Sequence, residues 1–319
     1  METIGILTSG GDAPGMNAAI RAITRTALNS GMRVKGVRSG YDGLINGDIY
    51  ELNVSSVADI IHRGGTILGS ARSMEFKTKE GQDKAAQILQ DFGIEGLIVL
   101  GGDGSFMGAN ALHLRGIKTI GIPCTIDNDM GYTDYTIGFH TAVETVIEAI
   151  SKLRDTSSSH GRANILEVMG RKCGDIALYA GLTGGAESIL VPEVDYNLDE
   201  VCENILKNKR RGKMHHIILA AEGIGKPYEM GEYINEKTGV ETKVTILGHI
   251  QRGGSPSFTD RLYACEMGNM AVELLKSGKS SLAIGINKGE LNTTPIEEAV
   301  KIKRDFNTHL LEIARELSN

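Results

Sequence analysis

The sequence has no apolar run approaching the roughly 18 residues that a membrane-spanning helix needs, so no transmembrane segment is expected. It has only four cysteines, Cys124, Cys173, Cys202 and Cys265, and no two of them form a C-x-x-C pair. That spacing signals neither a zinc site nor a redox motif and reads as free thiols in a reducing compartment. The amino terminus, Met1-Glu2-Thr3 followed by an apolar strand, lacks the basic stretch and long apolar run of a signal peptide, which leads us to expect a cytoplasmic protein. Positive charge is not in excess: 34 Lys and Arg face 40 Asp and Glu, a net charge of −6. Bulk nucleic-acid binding is thereby disfavoured, and any anion site must be a local cluster of arginines. Proline is scarce at 6 residues, whereas glycine reaches 41. Many glycines with few prolines indicate tight loops between regular elements rather than disorder.

What is present is a repeated pattern. Short apolar runs at Ile4–Leu7, Gly96–Leu100, Thr119–Ile122, Ile165–Val168, Ile217–Ala221 and Val244–Leu247 each end in a glycine-rich or polar loop. Helical stretches lie between several of them. Ile20, Ile23, Ala27 and Leu28 share one face after Asn17, as do Val143, Ile147 and Ile150. Strand, loop and helix in repetition imply an α/β fold with parallel sheets covered on both faces. Its 319 residues suit one large or two ordinary domains. The tail Phe306–Asn319 reads as a helix with an apolar stripe of Leu310, Leu311, Ile313 and Leu317.

In such sheets the loops after the strands' carboxyl ends build the ligand site. Three of these loops carry chemistry. Thr8-Ser9-Gly10-Gly11-Asp12-Ala13-Pro14-Gly15-Met16-Asn17 is neither a Walker A loop nor a G-x-G-x-x-G fingerprint. Its glycines still let backbone N–H groups approach a phosphate beside a helix start; a tight turn without a ligand is the other reading. Gly101-Gly102-Asp103-Gly104-Ser105 puts an acid among small residues at a strand end. Asp103 suits Mg²⁺, which takes few protein carboxylates, and equally suits the N-cap of the next helix. Pro123-Cys124-Thr125-Ile126-Asp127-Asn128-Asp129 carries two carboxylates one residue apart, able to face one site where an aspartate takes a proton. Surface solvation is the alternative for that pair. Arg72, Arg162, Arg171 and Arg252 sit beside small residues, where a planar guanidinium suits phosphate, although each alone also fits a solvated surface.

Together with Met169-Gly170-Arg171, Ala221-Glu222-Gly223 and Gly248-His249-Ile250-Gln251-Arg252-Gly253-Gly254, these loops make the chain resemble the bacterial ATP-dependent 6-phosphofructokinases, from residue 3 to about residue 285. The resemblance implies two similar three-layer domains with mostly parallel sheets. Residues 1–138 with 251–305 would bind ATP, and residues 139–250 with 306–319 the sugar phosphate. It implies direct phosphoryl transfer from ATP to the 1-hydroxyl of fructose 6-phosphate, with Asp127 as base and Arg171, Thr125, Asp129 and Arg72 assisting. Gly11, Arg72, Ser73, Gly102, Asp103, Gly104 and Ser105 would hold ATP, and Asp103 the magnesium. Thr125, Ile126, Asp127, Arg162, Met169, Gly170, Arg171, Glu222, Lys243, His249, Ile250, Gln251 and Arg252 would bind the sugar phosphate. Arg162 and Lys243 would reach in from a neighbouring subunit, implying a homotetramer with shared active sites. An effector site for ADP or phosphoenolpyruvate would use Arg21, Arg25, Arg154, Gly185, Ala186, Glu187, Arg211, Lys213, Met214 and His215.

The sequence departs from that family at Lys243, where arginine is usual, at Cys124, where glycine is usual, and at His140, where aspartate is common. Three other readings remain open here: a pyrophosphate-dependent enzyme, a catalytically dead nucleotide-binding subunit, and a dehydrogenase, the last disfavoured by the missing G-x-G-x-x-G.

Overall fold

The computed structural model describes residues Met1–Ser318; Asn319, at the end of the expected tail and of the expected sugar-phosphate domain, lies outside the described residues. The chain divides into two compact units, one of residues 1–126, 130–141 and 252–304, the other of 127–129, 142–251 and 305–319.

In chain order the elements are β1 (Thr3–Thr8), α1 (Met16–Asn29), β2 (Arg33–Val37), α2 (Gly40–Ile45), β3 (Ile49–Leu52), α3 (Lys79–Asp91), β4 (Gly96–Gly101), α4 (Asp103–His113), β5 (Lys118–Pro123) and α5 (Phe139–His160). There follow β6 (Ala163–Val168), α6 (Asp175–Gly184), β7 (Ser188–Leu190), α7 (Leu198–Arg210), β8 (His216–Ala221), α8 (Pro227–Thr238) and β9 (Thr242–Ile246). The chain closes with α9 (Phe258–Lys276), β10 (Leu282–Asn287), β11 (Glu290–Pro295), α10 (Ile296–Ala299) and α11 (Thr308–Leu317). Among the described residues no helix is long and apolar enough to cross a membrane.

The first unit is built on a seven-stranded sheet in the order β11-β10-β5-β4-β1-β2-β3. Its five inner strands run parallel, and β3 and β11 close the two edges antiparallel. Every residue of β1 and of β4 is buried, as expected of parallel strands covered on both faces. Leu7, Leu97 and Val99 pack with Leu44, Leu89, Phe106 and Ile296 on one face. Ile4 and Ile6 alternate to the other face, where α1 and α9 pack together so closely that a Cβ on Gly268 would strike Ala22.

The second unit holds the parallel four-stranded sheet β7-β8-β6-β9. Ile165, Ile218 and Ala220 pack with Val201, Ile205, Met230 and Ile234 of α7 and α8. On the opposite face Gly181 of α6 lies against Ile189 and Leu219.

Two helix readings differ from the observed buried faces. On α5 the buried positions are Ala142, Val146 and Ile150, four apart, while Val143 and Ile147 lie half-buried beside them. On α11 Leu311 and Ala314 are buried and Leu317 is 74% exposed, because the last turn runs past the surface the helix covers.

Candidate functional site

In the first unit β1 lies between β4 and β2, and the connections from β1 and β4 leave in opposite directions across the sheet. That reversal is the position where doubly wound sheets bind ligands. Register pairs Thr8 with Leu100 and Gly101 with Pro123, so the loops after β1, β4 and β5 emerge side by side. Two backbone bonds continue the sheet into them: Ser9 N to Leu100 O at 2.9 Å and Cys124 N to Gly101 O at 3.0 Å. Gly101 has to be glycine, since a Cβ there would collide with Ser105 Oγ and the Ser9 carbonyl. No such collision meets a Cβ on Gly104, which faces open space.

The N-cap of α4 is Gly102, not Asp103; Asp103 is the first helical residue, and no side chain caps the helix. The capping reading of Asp103 is thereby corrected. An extended glycine takes the cap position, and the carboxylate stands in a first turn whose leading N–H groups favour negative charge. Buried Tyr41 fixes this turn, donating to Ser105 O at 2.6 Å, with its ring against Gly108. No group of three or more His, Cys, Asp or Glu is gathered for a metal among the described residues. A single carboxylate on a glycine-rich turn is a donor set that suits magnesium, which completes its shell with water and phosphate oxygens.

Arg72 and Ser73 lie on the segment after Gly69 that docks on the first loop. Thr8 Oγ1 donates to Gly69 O at 2.7 Å and Ser70 Oγ to Gly10 O at 2.7 Å. The Arg72 side chain is exposed, and Ser73 Oγ accepts from Phe76 N at 3.3 Å. Arg252 belongs to this unit too. Its Nη1 donates to Asp12 O at 3.1 Å, and its guanidinium fills the space a Cβ on Gly11 would need. Thr125 and Ile126 end the first unit's share of the third loop, with Thr136 Oγ1 donating to Thr125 O at 2.7 Å.

The second unit gathers the acidic pair. Asp127 is 1% exposed. Arg171 Nε lies 3.4 Å from Asp127 Oδ2, and its Nη1 lies 3.9 Å from Asp129 Oδ2. Burial raises the Asp129 carboxyl above its ordinary range, and the Arg171 charge opposes the rise. Asn128 and Arg171 both hold left-handed backbone, with φ of 53° and 55°, which is costly for residues with side chains. Each is pinned: Asn128 Nδ2 donates to Asp175 Oδ2 at 2.8 Å, and Arg171 N donates to Glu222 Oε1 at 2.7 Å. Gly170, with φ of 137°, leaves no room for a Cβ above Cys173 O. Buried Gln251 accepts from Met169 N at 3.2 Å and donates to Gly248 O at 3.0 Å, whereas His249 and Ile250 of the same 3-10 turn point outward.

At the outer edge of this sheet, Arg162 Nε and Lys243 Nζ both bind Glu241, at 2.5 and 2.7 Å. On the same unit Arg154 donates to the carbonyls of Gly184 and Gly185 at 2.7 Å each. Buried Glu187 takes Lys213 Nζ at 2.7 Å and His215 Nε2 at 3.5 Å. Burial foremost lowers the His215 pKa. Ala186 is buried; Arg211 and Met214 are exposed. Five of the expected effector residues, Arg154, Gly185, Glu187, Lys213 and His215, thus belong to two contact groups of one unit. Arg21 and Arg25 stand on α1 of the other unit, Arg25 exposed and Arg21 half-buried.

Sequence reasoning overlooked three polar residues. Buried Asp260 accepts from Gly138 N and Thr141 N at 2.8 Å each and so caps the start of α5. Its own helix start, Ser257-x-x-Asp260, is a capping-box spacing readable in the sequence. Buried Asn17 ties the 63–67 segment to α1 through Arg63 O, Gly64 O and Ile67 N. Glu241 lacks a clear signal, because one of its partners, Arg162, lies 79 residues away in sequence.

A family model described as phosphofructokinase matches residues 3–275. The chain is 70% identical to the ATP-dependent 6-phosphofructokinase of Finegoldia magna over 318 residues, covering the whole of both chains. It is 61% identical to the enzyme of the same description from Clostridium tetani, again over the whole of both. Among solved structures it aligns with phosphofructokinase from Saccharomyces cerevisiae at 34% identity and a TM-score of 0.89, over all of this chain and 48% of the yeast chain.

Proposed function

The chain belongs to the phosphofructokinase family, and on that premise we propose that it is an ATP-dependent 6-phosphofructokinase, making fructose 1,6-bisphosphate and ADP in the committed step of glycolysis. Its first unit binds ATP through the loops after β1 and β4 with Arg72 and Ser73, and its second binds fructose 6-phosphate. Asp127 takes the proton of the 1-hydroxyl as that oxygen attacks the γ-phosphorus in line, without a covalent enzyme intermediate. Arg171, whose side chain is 62% exposed, has the freedom to turn from the carboxylates toward the phosphoryl oxygens as negative charge spreads over them. Magnesium held at Asp103 would neutralise charge on the β- and γ-phosphates. Glu222 holds the Arg171 backbone in its left-handed turn, and Gln251 holds Met169, so both keep the sugar-phosphate loop in shape.

Arg162 and Lys243 serve the 6-phosphate of a neighbouring subunit in a homotetramer, and the cluster around Glu187, with Arg21, Arg25 and Arg211, takes ADP or phosphoenolpyruvate as effector. The carrying observation is Arg171 set against Asp127 and Asp129 on backbone that only specific partners hold in place. A coupled assay run with ATP, with pyrophosphate and with no donor tests the reading. Turnover is expected with ATP; faster turnover with pyrophosphate, or none with either, refutes it.

A further inference from the structure

The ion triad at the edge of the second sheet has a feature that phosphate binding by its two cations does not itself require. Register pairs Ala163 with Thr242, which sets Arg162 beside Glu241, and Ala163 N donates to Glu241 O at 3.0 Å. Glu241 and Lys243 are two apart on an extended strand, so they share a face. One carboxylate spans both cations: Oε2 meets Arg162 Nε at 2.5 Å, and Oε1 meets Lys243 Nζ at 2.7 Å.

We propose that Glu241 is a positioning residue for the sugar 6-phosphate, aligning Arg162 and Lys243 to receive it together. The inference rests on the reading that these two cations bind that phosphate. Glu241 engages the guanidinium through Nε, and among the described residues neither terminal nitrogen of Arg162 makes a hydrogen bond. The two-pronged end that suits phosphate is left presented outward. The triad contributes little to folding, because side-chain exposures of 30%, 49% and 55% make it a surface ion network. What it fixes is direction. Without Glu241 two like charges stand side by side, one of them on a flexible lysine stem.

Removing the carboxylate has two opposed effects on a phosphate dianion. The local potential becomes more positive, which favours binding, and the aligned donors are lost, which weakens it. Exposed charges are screened by salt, whereas charge-assisted hydrogen bonds depend on alignment; alignment therefore decides the sign.

The test is Glu241→Gln beside Arg162→Ala, measuring fructose 6-phosphate half-saturation at saturating ATP, kcat, and thermal unfolding. Glu241→Gln is expected to raise sugar half-saturation about three- to tenfold, with a far smaller change in kcat and an unchanged melting temperature. An equal or lower half-saturation overturns the inference, since Glu241 is then only a negative charge in the way. A melting temperature that falls together with affinity also overturns it, in favour of a structural role. Arg162→Ala separates the two levels. If it leaves sugar half-saturation unchanged, the phosphate reading fails and takes this inference with it. If Arg162→Ala weakens binding and Glu241→Gln does not, the inference alone fails.

Discussion

Replacing Asp127 by asparagine keeps the side chain's shape and removes its ability to take a proton. General-base catalysis supplies roughly 10²–10⁴-fold in rate, or about 2.7–5.4 kcal/mol of barrier. The same change removes the carboxylate 3.4 Å from Arg171 Nε. That loss is limited, because the arginine end of the pair is 62% exposed and screened by solvent, and asparagine keeps a polar group in the buried position. The rate effect should therefore far exceed the stability effect. We expect kcat to fall by roughly 10²–10⁴-fold, both half-saturations to move much less, and the melting temperature to shift by under roughly 4 °C. The assay is initial velocity against each substrate in turn, alongside thermal unfolding of the same preparation. A variant that keeps a tenth of the wild-type kcat would refute Asp127 as the base. A large drop in melting temperature would show instead that the residue serves the fold.

Three further outcomes are expected. Lys243→Arg should lower fructose 6-phosphate half-saturation by about two- to tenfold without changing that of ATP, because a planar fork replaces a point charge; an equal or higher value would show that the site has adapted to lysine. Arg25→Ala combined with Arg211→Ala should flatten the response to ADP or phosphoenolpyruvate and leave kcat nearly intact, since coupling between sites amounts to about 1–3 kcal/mol; an undiminished response rules out these two residues as effector ligands. His216 is buried, and burial pushes its pKa down to about 4. The unfolded chain takes up that proton near pH 6.5 and the folded one near pH 4, so this contribution to stability is full above pH 6.5 and is lost as pH falls to 4. The gap of about 2.5 pH units corresponds to roughly 3 kcal/mol. His216→Gln should flatten denaturant-measured stability across that window, and an unaltered slope there would contradict the assignment.

The strands legible in the sequence were those whose apolar runs are continuous, such as Gly96–Leu100, because parallel strands buried on both faces leave no polar interruptions. β2, which reads Arg-Val-Lys-Gly-Val, and the edge strands β3 and β11 carry polar residues on a partly open side and were missed; the three-residue β7 and the mostly apolar β10 were missed as well, β10 without that reason. The candidate loops stood out because glycines and aspartates cluster there directly after apolar strands. The tertiary roles of Asp260 and Asn17 were not legible, since they depend on partners more than 40 residues away in sequence. On α5 the apolar pattern was found and its face misjudged by one position, because Ala142 contributes burial without a large side chain to mark it.

The first unit's sheet is not contiguous in the chain. β10 pairs with β5 by joining Leu282 to Ile120, and α9 covers α1, so elements made early wait for elements made more than 150 residues later. On the ribosome, at roughly 5–20 residues per second, that delay lasts about 10–30 seconds. Throughout it, one edge of β5 lacks its final partner and the Ile20–Ile23–Ala27 face of α1 lacks its cover. An open strand edge and an uncovered apolar face are the features on which nascent chains aggregate. The second unit also has a late piece, since α11 follows residue 304 and packs on α6. Any chain stopped near residue 250 therefore leaves two incomplete units rather than one finished and one missing, and biosynthesis of this protein should depend on chaperone protection until its last elements have emerged.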